Sequence, residues 1–242
     1  MKSPDETVLN FIRANPGCAV DRVATMFGME RTHIEELAKG AGLVLTLFGR
    51  TCIREPEPSR MVSCSEIVTY DPGRVLVVDT ETTGLDFEHD KLLSIAMLNG
   101  NGDVLLDTMV HPYGVKSWSE AQRINHITPA MVRDAPSVCQ IRRQVNDILS
   151  NADVIVGYNV DFDLGFLINA GFEVPDTDWC DVMEDFVDVL YKSTGKAHRW
   201  QKLIVCAEHY GYSFVPHSAL EDAKATLYCC LHIGDDLRRL RP

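Results

Sequence analysis

The chain has 242 residues, 45% of them hydrophobic, which is enough to bury a proper core without disulfide or metal staples. Its formal net charge is −12, but residues 1–60 carry eight Lys/Arg against eight Asp/Glu, so the whole imbalance falls on residues 61–242. Such a balance excludes nucleic-acid binding by broad counterion release from the second part. No apolar run reaches membrane-spanning length, and no signal-peptide core opens the chain, so no membrane partner is expected.

In chain order, residues 6–53 read as a small helical module. Val8, Leu9, Phe11 and Ile12 give a first helix that ends near Asn15-Pro16-Gly17. Val20 to Phe27 gives a second, Gly28 the turn, and Glu30 to Lys39 a third with Ile34 and Leu37 inward. Leu43 to Leu47 and Arg50 to Ile53 read as two short strands around Phe48-Gly49. Three helices and a wing make residues 1–54 winged helix-turn-helix-like. The third helix exposes both signs of charge without a basic excess, so a DNA partner and a protein partner both remain open. Residues 55–70, opening Glu55-Pro-Glu-Pro-Ser, read as a semi-rigid Pro-rich spacer before a domain over 71–242.

That domain opens on Arg74-Val-Leu-Val-Val-Asp79-Thr-Glu81-Thr-Thr-Gly84-Leu85. An unbroken apolar run of this kind is a strand buried on both faces. It runs into two carboxylates at i and i+2, which leave the same face of a sheet. Adjacent anions repel unless a cation sits between them, so the pair points to a divalent metal. Asn99-Gly-Asn-Gly102 separates two further strands as a hairpin. Ser137 to Leu149 is an amphipathic helix and Asp153 to Asn159 another buried strand. Where that strand meets a helix, Asp161 and Asp163 are both candidate ligands, and spacing does not choose between them. In Pro216-His217-Ser218-Ala-Leu-Glu221-Asp222, Ser218 and Glu221 fit a capping box. The helix then starts after Ser218, with Asp222 in its first turns and His217 on the preceding loop. Eight cysteines without a C-x-x-C pair read as reduced thiols of a cytoplasmic protein, not zinc knuckles.

Asp79-x-Glu81, Asp163 within F-D-L-G-F-L, and His217-x4-Asp222, in that chain order, resemble the DEDDh (DnaQ-like) 3′–5′ exonuclease family. That family includes the epsilon proofreading subunit of bacterial replicative DNA polymerase and ribonuclease T. Asn125-His126-Ile-Thr128 is similar to the family's H-G-I-T loop but lacks its glycine, and Arg199-Trp200-x-x-Leu203 is similar to the segment before the last motif. The resemblance covers about residues 74–233 and chooses Asp163 over Asp161.

It implies an α/β, ribonuclease-H-like mixed five-stranded sheet with flanking helices. It also implies two Mg²⁺ or Mn²⁺ ions held by Asp79, Glu81, Asp163 and Asp222, with His217 as general base. Thr82, Thr83 and Leu85 are expected to line the terminal nucleotide's pocket, with His126 nearby and Asn159 pinning the turn before Asp163. The expected partner is the 3′ end of a nucleic acid, DNA ahead of RNA. An exoribonuclease and a non-catalytic binding factor regulated through the N-terminal module are the alternatives.

Overall fold

The computed structural model describes residues 3–15, 18–47, 51–54 and 59–240 and separates into two units, residues 1–58 and 59–242. In the first unit, α1 (Pro4–Ala14) begins with the Ser3 hydroxyl accepting the Glu6 N–H at 3.1 Å. A two-residue strand β1 (Cys18–Ala19), absent from the sequence reading, precedes α2 (Val20–Phe27). Gly28, at φ 64°, makes the left-handed turn to α3 (Arg31–Gly40). Strands β2 (Val44–Leu47) and β3 (Thr51–Arg54) pair antiparallel, with β3 in the middle of the order β1-β3-β2. Val8, Ile12, Val20, Val23, Ile34 and Leu43 form this unit's core. The expected turn at Phe48-Gly49 lies outside the described residues.

The second unit is built on β4 (Val75–Thr82). It pairs antiparallel with β5 (Leu92–Asn99), which pairs antiparallel with β6 (Val104–Met109). On its other side β4 runs parallel to β7 (Val154–Gly157), and β7 parallel to β8 (Asp178–Asp181). The order β6-β5-β4-β7-β8 is the expected mixed five-stranded sheet.

Helices α5 (Val138–Leu149) and α6 (Val160–Asn169) cover one face, packing Ile141, Val145, Leu149, Phe166 and Leu167 against Leu76 and Val78. Helices α7 (Val182–Thr194), α8 (Leu203–His209) and α9 (Ala219–Arg239) cover the other, against Val75 and Val77. The run Val75 to Val78 is apolar throughout because each face of the sheet has its own core. The short α4 (Ser119–Asn125) follows β6. Among the described residues no helix is long and apolar enough to cross a membrane.

Two expectations are corrected. The spacer does not extend to residue 70, because Val62, Cys64 and Ile67 are buried in the core beneath α9. Met61 bridges Trp179 in parallel, and the Val62 N–H donates to the Trp179 carbonyl at 2.8 Å, so this segment runs along the outer edge of β8. The Ser218 capping box does not form: Ser218 is the N-cap residue but makes no side-chain cap bond. Glu221 pairs instead with Lys224 at 2.8 Å.

Candidate active site

The alternation of β4 decides where its polar residues go. Asp79 and Glu81 continue the series of Val75 and Val77, toward the face that α9 covers. Thr80 continues that of Leu76 and Val78, toward α6. Because β4 and β7 are parallel, their C-terminal ends lie at the same edge of the sheet, where open α/β sheets gather ligands. From the end of β7 the chain turns through Asn159 into α6, which carries Asp163. The first turn of α9 supplies Asp222.

These placements bring the predicted acids together. Asp163 is 3% exposed, and its Oδ1 accepts the Thr80 hydroxyl at 2.7 Å. Asp222 is 8% exposed, and its Oδ2 accepts the His217 backbone N–H at 2.8 Å. Glu81, His217 and Asp222 each offer a ligand atom within 4.8 Å of the others. Asp161, by contrast, is exposed.

The electrostatics record the crowding. Burial holds the Asp79 carboxyl well above the usual range, and the charges of Asp163, Asp222 and Glu81 raise it further. Glu81 is lifted to about 7, first by burial and then by Asp222, while a hydrogen bond with Asn125 opposes the shift. Asp163 also stands at about 7, through burial, with the Thr80 hydroxyl pulling down. Asp222 stands at about 6, again through burial, opposed by the N–H groups of His217 and Ser218. Four carboxylates that repel one another in a partly desolvated cleft are the donor set of a hard divalent cation. Their chemistry therefore fits Mg²⁺ or Mn²⁺. His217 moves the other way: burial lowers it below its ordinary value, and the positive charges of His126 and Lys202 lower it further.

The backbone around the site is unusual. Three non-glycine residues among those described have positive φ: His126 (58°), Asn159 (65°) and His217 (68°). All three flank the carboxylates or His217, a pattern typical of strain held at functional sites. His126 occupies the loop position where the resembled motif has glycine, so here a residue with a Cβ bears the left-handed conformation that glycine adopts freely.

The flanking residues divide. Leu85 is 84% exposed and free to meet a ligand. Thr82 and Thr83 are buried, and their hydroxyls are engaged inside the loop. The Thr82 hydroxyl donates to the Gly84 carbonyl at 2.5 Å, and that of Thr83 donates to Asp90 at 3.0 Å. A Cβ at Gly84 would lie 2.2 Å from Asp90 Oδ2, so a larger residue there would push aside the carboxylate that accepts the Thr83 hydroxyl. Asn159 does not pin its turn through its side chain, which makes no cap bond. Its backbone N–H does so, by donating to Asp181 at 3.0 Å.

Sequence reasoning missed three supporting residues. Asn125 donates to the Thr82 carbonyl at 3.1 Å and accepts the Ile127 N–H at 3.1 Å, in addition to its bond with Glu81. Thr80 and Asp181 are the others. Asn125 stands in the quoted loop motif and was legible there, whereas the partner of Thr80 is 83 residues away. A broad concavity lined by Arg74, Leu105, Gln140, Arg143 and Asn151 opens at the opposite end of β4 and holds none of the predicted site residues.

Comparison with known proteins gives consistent findings. A family model described as "Exonuclease" matches residues 76–230. The chain is 27% identical over 174 residues to a PolC-type DNA polymerase III of Staphylococcus epidermidis, covering 68% of this chain and 12% of that protein. The corresponding protein of Oceanobacillus iheyensis is 33% identical over 101 residues, 40% of this chain and 7% of its own length. Among solved structures, E. coli Exonuclease I in complex with a dA16 oligonucleotide superposes with a TM-score of 0.56 at 18% identity. The match covers 69% of this chain and 41% of that one. A zinc-bound form of the E. coli enzyme with single-stranded DNA gives 0.57 at 19% identity, with the same coverage. The chain thus spans a small fraction of the polymerases it matches and under half of the exonuclease.

Proposed function

The chain belongs to this exonuclease family, the DnaQ-like 3′–5′ exonucleases, and from that premise we propose that it hydrolyses the last phosphodiester at nucleic-acid 3′ ends. It releases nucleoside monophosphates, and DNA is its substrate ahead of RNA. The observation that carries this reading is the convergence of Asp79, Glu81, Asp163, Asp222 and His217 at one edge of the sheet. DNA is favoured because the named relatives are DNA polymerases and the named structural neighbours hold DNA oligonucleotides.

Asp79, Glu81, Asp163 and Asp222 would hold two Mg²⁺ or Mn²⁺ ions, which when bound supply the positive charge that stabilises the attacked phosphate and the departing 3′ oxygen. The chain's own groups do the rest. His217 is neutral at physiological pH because its pKa lies below the ordinary value of about 6.5. Its imidazole accepts the proton of the attacking water. Thr80 and Asn125 hold Asp163 and Glu81 as oriented anions. Lys202 places its positive charge near His217.

The deciding experiment is digestion of 5′-labelled single-stranded DNA, duplex DNA and RNA with Mg²⁺ or EDTA. Single-stranded DNA should shorten stepwise from its 3′ end with Mg²⁺. It should stay intact with EDTA or when Asp79→Ala replaces the wild type. Faster trimming of RNA would assign the chain to the exoribonucleases, and no digestion of any substrate would sink the catalytic reading.

The N-terminal module serves recruitment in this account, through a protein partner. Its third helix has little unpaired positive charge to offer DNA: Arg31 is held by Asp21 and by Glu35, both at 2.8 Å.

A further inference from the structure

Five of the described cysteines are buried, and three of them meet although they come from distant parts of the chain. Cys64 lies on the segment along β8, Cys180 on β8 itself and Cys230 on α9. Their sulfurs all lie within 4.8 Å of one another, and Cys64 Sγ is 3.6 Å from Cys180 Sγ.

A single buried thiol is an ordinary small apolar group and needs no ligand. Here three sulfurs from three separate segments converge in one core. Asp185, on α7, is half-buried against the same cluster, and its carboxylate accepts the Cys64 backbone N–H. Its charge acts on both the Cys180 and the Cys230 thiols. That carboxylate is satisfied by hydrogen bonds from the Cys64 N–H and the Ser63 side chain, and it adds negative charge beside the three thiols.

The spacing suits a particular class of ion. Tetrahedral zinc with Zn–S bonds of about 2.3 Å separates its sulfurs by roughly 3.8 Å. The Cys64–Cys180 distance is close to that value. Thiolates select soft, thiophilic cations over the Mg²⁺ that suits the carboxylate site.

We propose that Cys64, Cys180 and Cys230 form a structural three-thiolate site for Zn²⁺. Each ligating thiol releases its proton to solvent, so that binding strengthens with pH. The ion ties the segment before β4 to β8 and α9, and the site is separate from the carboxylates that carry the exonuclease reading.

The test is a Co²⁺ titration of the full chain, purified under reducing conditions and stripped of metal with a chelator. Cobalt bound by sulfur shows thiolate charge-transfer absorption, whereas cobalt bound by carboxylates alone does not. The absorption should saturate at about one equivalent in wild type, as expected for a single site. It should be displaced by Zn²⁺ and be retained in Asp79→Ala and in Cys139→Ser, which alters an exposed thiol. Cys180→Ser and Cys230→Ser should lose it. Wild type that takes up Co²⁺ without this absorption overturns the proposal, and that measurement does not depend on any variant folding. So does absorption that persists in Cys180→Ser, or a Cys64–Cys180 disulfide in the reduced chain, since a disulfide cannot ligate.

Discussion

The backbone N–H of His217 donates to Oδ2 of Asp222 at 2.8 Å, closing the loop that precedes α9 over the helix's first turn. The bond uses the main chain of His217 and leaves its ring free, within 4.8 Å of Glu81 and Asp222. His217→Ala therefore keeps the loop and the carboxylates while removing the base. Its kcat should fall by about 10²–10⁴-fold, the usual cost of losing a general base. Its Mg²⁺ dependence should stay close to wild type. The wild-type acid limb should lie below pH ~6.5, because burial, His126 and Lys202 all favour the neutral ring. That limb should vanish in the variant. A variant as fast as wild type with the same limb would give the base to another group.

The crowded carboxylates make metal-free stability depend on pH. Glu81 and Asp163 stand at about 7 and Asp222 at about 6 in the fold, against roughly 4 when unfolded. Because the folded state binds these protons more tightly, their contribution is fully present below pH ~4 and is lost as pH rises toward ~7. In EDTA, Tm should drop between pH 5 and pH 8 by on the order of 5 °C. Mg²⁺ should restore it at pH 8, and Asp163→Asn should flatten the dependence. A higher Tm at pH 8 than at pH 5 in EDTA would show that the acids are not destabilising one another.

Lys196 to Lys202 carries three Lys/Arg with no acidic residue among them, and Trp200 within it is 67% exposed. Trp200 therefore does not anchor the loop in the core. Lys202 also places its charge near His217. Arg199→Gln with Lys202→Gln should raise KM and flatten its salt dependence by about one unit of slope per lost phosphate contact. The acid limb should move to higher pH as His217 loses a positive neighbour. Unchanged KM at low and moderate salt would make the loop purely structural.

A chain shortened to begin at Ser59 should keep its turnover on short oligonucleotides, since it retains the whole second unit. One beginning at Asp71 should not. It lacks Val62, Cys64 and Ile67, whose burial is worth roughly 5 kcal/mol at about 1.5–3 kcal/mol per apolar side chain. A domain of this size has only about 5–15 kcal/mol to lose. Equal melting temperatures for the two shortened chains would refute this boundary.

What could be read from the sequence was local. Four apolar residues ending in Asp79 marked the central strand, because burial on both faces leaves an unbroken apolar run. Asn99-Gly-Asn-Gly102 marked the hairpin, where the Asn99 side chain accepts the N–H groups of Asn101 and Asp103, both at 3.0 Å. The meeting of β4, α6 and α9 is not local, and only the family resemblance joined Asp79, Asp163 and Asp222 in advance. Strand β8 is short and half-exposed, so its pattern carried little signal. Ser218 and Glu221 had the spacing of a capping box, but Glu221 is drawn to Lys224. Counting C-x-x-C pairs could not find Cys64 and Cys180, whose sulfurs meet across 116 residues of chain.

The strip of chain lying along β8 also bears on how the protein behaves in company. Trp179 donates its N–H to the Arg60 carbonyl at 3.2 Å and accepts the Val62 N–H at 2.8 Å. Those backbone groups would otherwise be open to a strand from another molecule, and such open edges seed aggregation. Residues 60–62 therefore close that border of the sheet to a strand from a second molecule, with Val62 adding to the core as well.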